Sequence, residues 1–306
     1  MVAVRSVTLS IGVPVRNGAR WIEAALRSIL DQDFTDIEVL VRDNASDDDT
    51  VAICERVARD DPRVAVARND VNVGGAGNYN LVFEAARGKY FKWAAHDDLC
   101  APGFFSRCVA ALEADEACVV AFPRTRYIDE DDQLLRDSNP GLSIVDDDAA
   151  TRALRLLDLA DQSDDVWMSI FGVFRSKALA ATPRIATHVA SDQTLLFELV
   201  FAGKFCEIDE PLFVRRLHPE TSMIKAATPQ RLATWFDPKH GRRVVMPMWD
   251  LWREMRRVLE QQDLDARARR RVRARLRKRF LRMAPALAGE VKKAAGQLLV
   301  RGRRSS

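Results

Sequence analysis

The chain has 306 residues, 47% of them hydrophobic, ordinary for a globular protein and sufficient for one large α/β domain or two modest ones. Its five cysteines (Cys54, Cys100, Cys108, Cys118, Cys206) are odd in number and contain no C-x-x-C pair, which argues against a disulfide framework or a structural zinc and fits a reducing cytoplasm. Fifteen of the 47 basic residues but only two of the 44 acids, Asp265 and Glu290, fall within 265–306, so the net charge of +3 divides into +13 for that tail and −10 for everything before it.

From the start, MVAVRSVTLSIGV enters strand alternation without the apolar core of a secretion signal. Nowhere does an apolar run approach the ~18 residues of a membrane span. Val7 to Val13 reads as a strand and Pro14 to Gly18 (PVRNG) as a turn, because proline and Asn-Gly punctuate there. Ile22, Leu26, Ile29 and Leu30 then recur at helical spacing. A second strand, Ile37 to Val41, ends in RDNASDDDT, whose Ser46 to Asp49 offer caps for a helix with Val51, Cys54 and Val57 on one side. Val64 to Ala67 is a short strand, the glycine cluster NVGGAGN opens a helix through Leu81, Val82 and Ala85, and Tyr90 to Ala95 is a fourth strand.

Beyond Pro102 the pattern predicts a helix to about Glu113, a strand over Cys118 to Phe122 and a polar connection or lid from Asp129 to Asp148. A helix around Leu154 to Leu159, an apolar strand over Ser169 to Phe174, a helix from Asp192 to Phe201 and a strand ending in VRRLHPETS follow. Alternating strands and helices with short turns imply an α/β fold with a mostly parallel sheet covered on both faces. Ligands of such sheets bind beyond the carboxyl ends of the strands. The turns at Pro14 to Gly18, Asp43 to Asp49 and His96 to Pro102 all follow strands and are therefore expected at one rim.

In KWAAHDDLCAP a buried-looking run meets Asp97 and Asp98, and burying adjacent carboxylates is costly unless a positive group answers them. Neighbouring strand residues point to opposite sides, so the two acids suit separate roles. Mg²⁺ or Mn²⁺ needs only one or two carboxylates when phosphates and waters complete its shell. The bland alternative is a pair of capping or turn acids. The glycines of the turn at Asn72 to Asn78 let backbone approach a ligand closely.

IGVPVRNGARWIEAALRSIL, IEVLVRDNASDDDT and NVGGAGNYNLVFEAARGKYFKWAAHDD, with Pro102 shortly after, resemble the nucleotide-sugar-binding half of inverting family 2 glycosyltransferases of the GT-A fold. The resemblance implies a GT-A type Rossmann-like sheet flanked by helices, with a donor half at 1–115, an acceptor and catalytic half at 116–227 and a helical region at 228–306. It implies that Pro14 and Val15 line the base pocket with Asn17, Asn72 and Gly74 nearby, that Asp43 accepts a hydrogen bond from the base, that Asp97 lies by the ribose and that Asp98 ligates the metal. Arg16 stands where the family often has tyrosine, and Ala95 where it often has an acid, so only the second half of the acidic signature is kept.

Sugar transfer from a nucleoside diphosphate benefits from charge stabilisation at the leaving group and from a carboxylate that takes the acceptor proton. Asp192, before the apolar run TLLFELVFAG, is the candidate base, with helix capping alongside Ser191 as its other reading. In RRLHPETS, His218 is a candidate metal ligand or diphosphate contact, or else a histidine satisfied by backbone. Arg215 and Arg216 are candidates for the diphosphate, of which one should point away. His96 is expected to shape the site. Trp93 and Trp167 are either stacking platforms for sugar rings or core residues.

Apolar residues at Leu264, Ala268, Val272, Leu276, Phe280, Ala284, Leu287, Val291, Ala295 and Leu298 give the tail an amphipathic helical pattern, with a kink expected at Pro285. An anionic membrane surface is one expected partner of this tail and its own domain another, with nucleic acid disfavoured by the lack of interleaved aromatics. Together these features imply a metal-assisted glycosyltransferase using UDP, GDP or dTDP sugars and a glycan or lipid-linked acceptor. The expected location is the cytoplasm or the inner face of the plasma membrane. A sugar nucleotidyltransferase and a non-catalytic nucleotide-sugar or nucleic-acid binding module are the alternatives.

Overall fold

The computed structural model describes residues 7–219, 228–240 and 245–302. Its first half is β1 (Leu9–Val15), α1 (Ile22–Leu30), β2 (Ile37–Asp43), α2 (Thr50–Asp60), β3 (Val64–Arg68), α3 (Gly74–Glu84) and β4 (Tyr90–Trp93), with the strands parallel in the order β3-β2-β1-β4. Every residue of β1 is buried, which is why LSIGVPV shows no polar alternation. β1 runs two residues past the expected end at Val13. This is tolerated because β4 pairs only as far as Gly12, so the amide that Pro14 lacks has no acceptor on that side. At Gly12 a Cβ would come within 2.7 Å of Val82 Cγ2, so the glycine lets α3 lie flat on the sheet.

The second half comprises β5 (Leu99–Cys100), α4 (Phe104–Ala114), β6 (Cys118–Ile128), β7 (Leu134–Asp137), α5 (Ala149–Ala160), β8 (Val173–Arg175), α6 (Ser176–Ala180), α7 (Ser191–Ala202) and β9 (Lys204–Arg216). The sheet continues as β4-β8-β6-β9-β5, with β7 hairpinned onto β6. β6 and β9 are parallel over most of their length, whereas the antiparallel pairings of β8 are brief, so parallel ladders carry most of the sheet.

Two expectations are corrected. The strand anticipated over Ser169 to Phe174 is present only from Val173, as β8; Ser169 to Phe171 end a 3₁₀ helix, Asp164–Phe171, because Val166, Trp167 and Ile170 bury at helical rather than alternating spacing and Ser163 caps the start. The stretch from Asp129 to Asp148 is not a loose lid. β7 pairs with β6, Arg126 holds Asp137 at 2.9 Å, Ile144 bridges to Phe205, and Asp148 caps α5 through the Thr151 amide at 2.7 Å.

One apolar layer lies between the sheet and α1, α2 and α4, with Leu26, Val57 and Phe104 at its centre. On the other face, α3, α5 and α7 meet α8 (Pro229–Phe236), α9 (Pro247–Gln261), α10 (Ala266–Arg282) and α11 (Ala284–Gly302) over Leu156, Leu196, Met255 and Leu276. The apolar stripe of the tail thus faces its own domain, with Val272, Leu276 and Phe280 buried. Near Pro285 the helix breaks outright, with Met283 closing α10 and the proline in the first turn of α11.

Candidate active site

The turns after β1, β2 and β4 do meet, joined by the one after β3, around a cavity of about 410 Å³. Pro14, Val15, Asn17, Asn72, Asp97 and His218 line it, together with Arg16, Arg20, Trp21, Asn44, Gly75, Asn78, Tyr79, His96, Arg231, Thr234 and Trp235. Asp43, Gly74, Asp98, Asp192 and Arg215 do not border the cavity.

Asparagines frame one end of the cavity. Asn44 Nδ2 donates to Asn72 Oδ1 at 2.9 Å, Asn69 Nδ2 to Asn44 Oδ1 at 3.1 Å and to Asn78 Oδ1 at 3.0 Å, and Asn78 Nδ2 to the Arg42 carbonyl at 2.8 Å. Asn17, at a left-handed φ of 54°, ties the first two turns: its amide donates to Ser46 Oγ at 2.9 Å and its Oδ1 accepts from the Asp47 amide at 3.1 Å. Asp43 is fully buried at the end of β2. Its Oδ2 accepts from the Ser46 amide at 3.0 Å and pairs with Arg68 Nε at 3.3 Å, while Oδ1 has no hydrogen-bond partner among the described residues.

β9 answers the acidic turn. The Arg216 amide donates to Asp98 Oδ1 at 2.9 Å, Arg216 Nε to the Asp97 carbonyl at 3.2 Å, and His218 Nε2 lies 3.0 Å from Asp97 Oδ2. Neither Arg215 nor Arg216 lines the cavity, and Arg216 lies behind its wall. Its guanidinium pairs with Asp132 and covers the Trp21 ring at 4.2 Å. Arg215 rests against Met168 Sδ and acts electrostatically on both Asp98 and Asp192. Burial, then the negative neighbour Asp97, pushes the Asp98 carboxyl up to about 7, opposed by Arg215, the Arg216 amide and Lys92. Lys92 itself is fully buried, with Nζ on the Trp93 and Phe171 carbonyls, and burial lowers its pKa.

Asp192 lies inside the first turn of α7, half-buried. The N-cap position is Ala190, at φ 60°, rather than Ser191 or Asp192, although the Asp192 carboxylate faces amides of the helix's first turn. Burial raises its carboxyl above the ordinary aspartate range, against its own helix-terminal amides, His188 and Arg215. Tyr79, on α3, lines the cavity. Its hydroxyl is driven up by burial and then by Asp97, Asp98 and Asp192, with Arg215 opposing.

Trp93 is fully buried and donates Nε1 to the Tyr79 carbonyl at 2.9 Å, and Trp167 is 3% exposed, so both are core residues rather than sugar platforms. The aromatic that borders the cavity from the C-terminal region is Trp235, on α8. It reaches the cavity because Gly75 has no Cβ, which would stand 2.6 Å from the indole. A Cβ on Gly74 would meet the Phe236 carbonyl at 2.4 Å. The glycine cluster thus admits a helix of the same chain.

No three His, Cys, Asp or Glu side chains among the described residues cluster tightly enough to hold a metal alone. An acid pair whose second member is strained by burial and by its neighbour's charge does fit a hard cation that takes its remaining ligands from a diphosphate and water.

Residues 10–177 match the family described as Glycosyl transferase family 2. A Campylobacter jejuni GalNAc(5)-diNAcBac-PP-undecaprenol beta-1,3-glucosyltransferase is 34% identical over 99 residues, 32% of each chain. Escherichia coli chondroitin synthase is 24% identical over 220 residues, 71% of this chain and 30% of its own. This chain therefore spans less than half the length of either relative. Among solved structures, S. aureus TarS in complex with UDP-GlcNAc has a TM-score of 0.63 over 87% of this chain and 70% of that one, at 18% identity. The Pyrobaculum calidifontis mannosyltransferase PcManGT, in complex with GDP-Man and Mn²⁺, has a TM-score of 0.53 over 97% and 88%, at 17% identity. The shared architecture is the GT-A fold, and the family match runs from β1 into α6, more than half of the sequence. The chain belongs to glycosyl transferase family 2.

Proposed function

We propose that the chain transfers a sugar from a nucleoside diphosphate sugar to a hydroxyl of a glycan or lipid-linked acceptor, with inversion. The observation that carries this reading is the meeting of the acidic turn with the end of β9 at a cavity of about 410 Å³: Asp97 and His218 line it, with Asp97 Oδ2 and His218 Nε2 3.0 Å apart, and the Arg216 amide holds Asp98 Oδ1 at 2.9 Å. That volume lies within the range of small-molecule sites. In this reading residues 1–115 hold the donor, 116–227 carry the acceptor side and 228–306 cover both.

The base sits against Pro14 and Val15, and its ring N–H meets Asp43 Oδ1, the buried oxygen without an internal partner. Asn17, Asn72 and Gly74 fix the turns around it. Asp97, oriented by His218, accepts from the ribose. Asp98 would hold Mg²⁺ or Mn²⁺ together with the diphosphate oxygens, with His218 beside it through Asp97. Such an ion, when bound, neutralises charge gathering on the departing diphosphate. Arg215 adds a fixed positive charge on the same side. Asp192 takes the proton of the attacking hydroxyl, and its raised pKa makes it a stronger base than an exposed aspartate. Attack from the face opposite the leaving group inverts the anomeric carbon. Because a lipid-linked acceptor lies in a bilayer, the enzyme would meet it at the membrane's inner face.

Thermal shift with UDP, GDP and dTDP and their sugars, with and without Mn²⁺, tests the donor reading. One nucleotide should stabilise the chain only weakly without metal and strongly with it, and its sugar conjugate should be slowly hydrolysed. Asp98→Asn should abolish both the metal effect and the hydrolysis. Binding without hydrolysis would overturn the enzyme reading, and no stabilisation by any nucleotide would overturn the donor site.

A further inference from the structure

Ten of the 17 residues of α10 are Arg or Lys, and the fold sorts them into three groups. Arg275, Arg279 and Arg282 converge on Asp161, with Arg275 also on Asp158. Arg269 and Arg273 reach Glu260 on α9. Arg267, Arg270, Arg271, Arg277 and Lys278 are all exposed, and none of these five side chains makes a hydrogen bond or ion pair with the described residues. Their spacing puts them in one row along the outward side of the helix, about 21 Å long from Arg267 to Leu281 at 1.5 Å per residue. Leu281, 73% exposed, ends the row, and the neighbouring α11 adds Lys292, Lys293 and the half-exposed Val291.

Like charges at these spacings repel, and apart from Asp148, whose carboxylate feels Arg271, the described residues show no acid acting on this row, although they supply ion-pair partners to each flank. We propose that the outward row of α10 is a docking surface for an anionic lipid bilayer. The contact is adsorption rather than insertion. The apolar seam of Val272, Leu276 and Phe280 is buried against the protein, leaving Leu281 and Val291 as the aliphatic groups that reach the headgroup level. A straight row of cations suits a flat, negatively charged surface. It carries no aromatic residue on which a nucleobase would stack, which sets it apart from a single-stranded nucleic-acid groove.

The test uses the full chain and co-sedimentation with vesicles, and it reads the surface whether or not the chemistry proposed above is correct. Vesicles of phosphatidylcholine and phosphatidylglycerol in equal parts should pellet the protein, and vesicles of phosphatidylcholine alone should not. Raising salt from ~0.1 to ~0.5 M should release it, because the screening length shortens well below 10 Å. Replacing Arg267, Arg270, Arg271, Arg277 and Lys278 together by Gln should lower partitioning about tenfold or more with a nearly unchanged melting temperature, since none of the five exposed side chains hydrogen-bonds or ion-pairs with the described residues. A parallel variant carrying Leu281→Ser and Val291→Ser should lose much less. Absence of pelleting, equal binding to neutral vesicles, or undiminished binding by the five-Gln variant would overturn the proposal. So would displacement from vesicles by duplex or single-stranded nucleic acid at matched charge concentration.

Discussion

His218 Nε2 lies 3.0 Å from Asp97 Oδ2, so the segment following β9 orients the first acid of the turn after β4. The imidazole is 3% exposed and leans on Trp21, with ring centroids 5.8 Å apart, so the contact is held from both sides. Partners that orient acids at a metal site typically matter 10–100-fold (roughly) for metal affinity or activity. Calorimetric titration of His218→Ala should show the affinity for nucleoside diphosphate with Mn²⁺ weakened by about that factor. His218→Gln, which retains a donor, should recover part of it. Equal affinity in His218→Ala would mean that the histidine only fills space.

Asp192 carries the pH prediction. Burial raises its pKa, so the deprotonated base is present only above that raised value and activity falls as pH drops through it. The acid limb of kcat/KM should therefore lie above the ~3.9 of an exposed aspartate. Asp192→Asn should lower transfer by roughly 10²–10⁴ and remove that limb, while nucleotide affinity stays near wild type. Stability moves the opposite way with pH. Because folding favours the neutral acid, this residue's contribution is present below its unfolded pKa and is lost as pH rises through the folded one, so Asp192→Asn should melt higher than wild type at pH 8. A variant whose acid limb coincides with wild type would remove Asp192 from the role of base.

The parts of the site legible in the sequence are those that topology fixes. Pro14 and Val15 end a parallel strand and Asn72 and Asp97 follow others, and a parallel sheet brings strand ends to one rim whatever the side-chain packing. Tyr79 was not legible because it sits within a helix at core-like spacing, and only the folded chain shows three acids acting on it. The NVGGAGN glycines signalled close approach but not what approaches. The answer, α8, lies some 160 residues away with no strand or turn signal of its own. Composition likewise disclosed the amphipathic tail, but which surface covers its seam depends on Asp158 and Asp161 at the end of α5.

Trp235 tests the contribution of α8. Its indole borders the cavity over Gly75 and is 37% exposed, leaving a face free for the donor. Stacking of a base on an aromatic ring is worth ~1–3 kcal/mol by alanine substitution, or about 5–150-fold. Trp235→Ala should raise the donor KM within that range and change kcat little, because a stacking contact serves ground and transition states alike. A fall in kcat at constant KM would instead make α8 part of the chemical step.

Asp161, 14% exposed, gathers Arg275, Arg279 and Arg282, with Arg275 Nη2 at 2.7 Å and Arg282 Nη1 at 2.6 Å. Removing it leaves three guanidiniums crowded over the end of α5, two of them largely covered. The loss should fall between the ~1 kcal/mol of an exposed pair and the ~3–5 kcal/mol of a buried pair deprived of one member. Asp161→Ala should therefore lower the unfolding free energy by about 2 kcal/mol in urea titration. Phe280→Ala, which opens a cavity in the same seam, should cost about 3–5 kcal/mol. The two are close enough to couple, so the double variant should lose less than the sum. Limited proteolysis should cut both first between α9 and α10, since the seam is what holds α10 down. If Asp161→Ala melts like wild type, the arginine cluster is solvated and the apolar seam alone docks the tail.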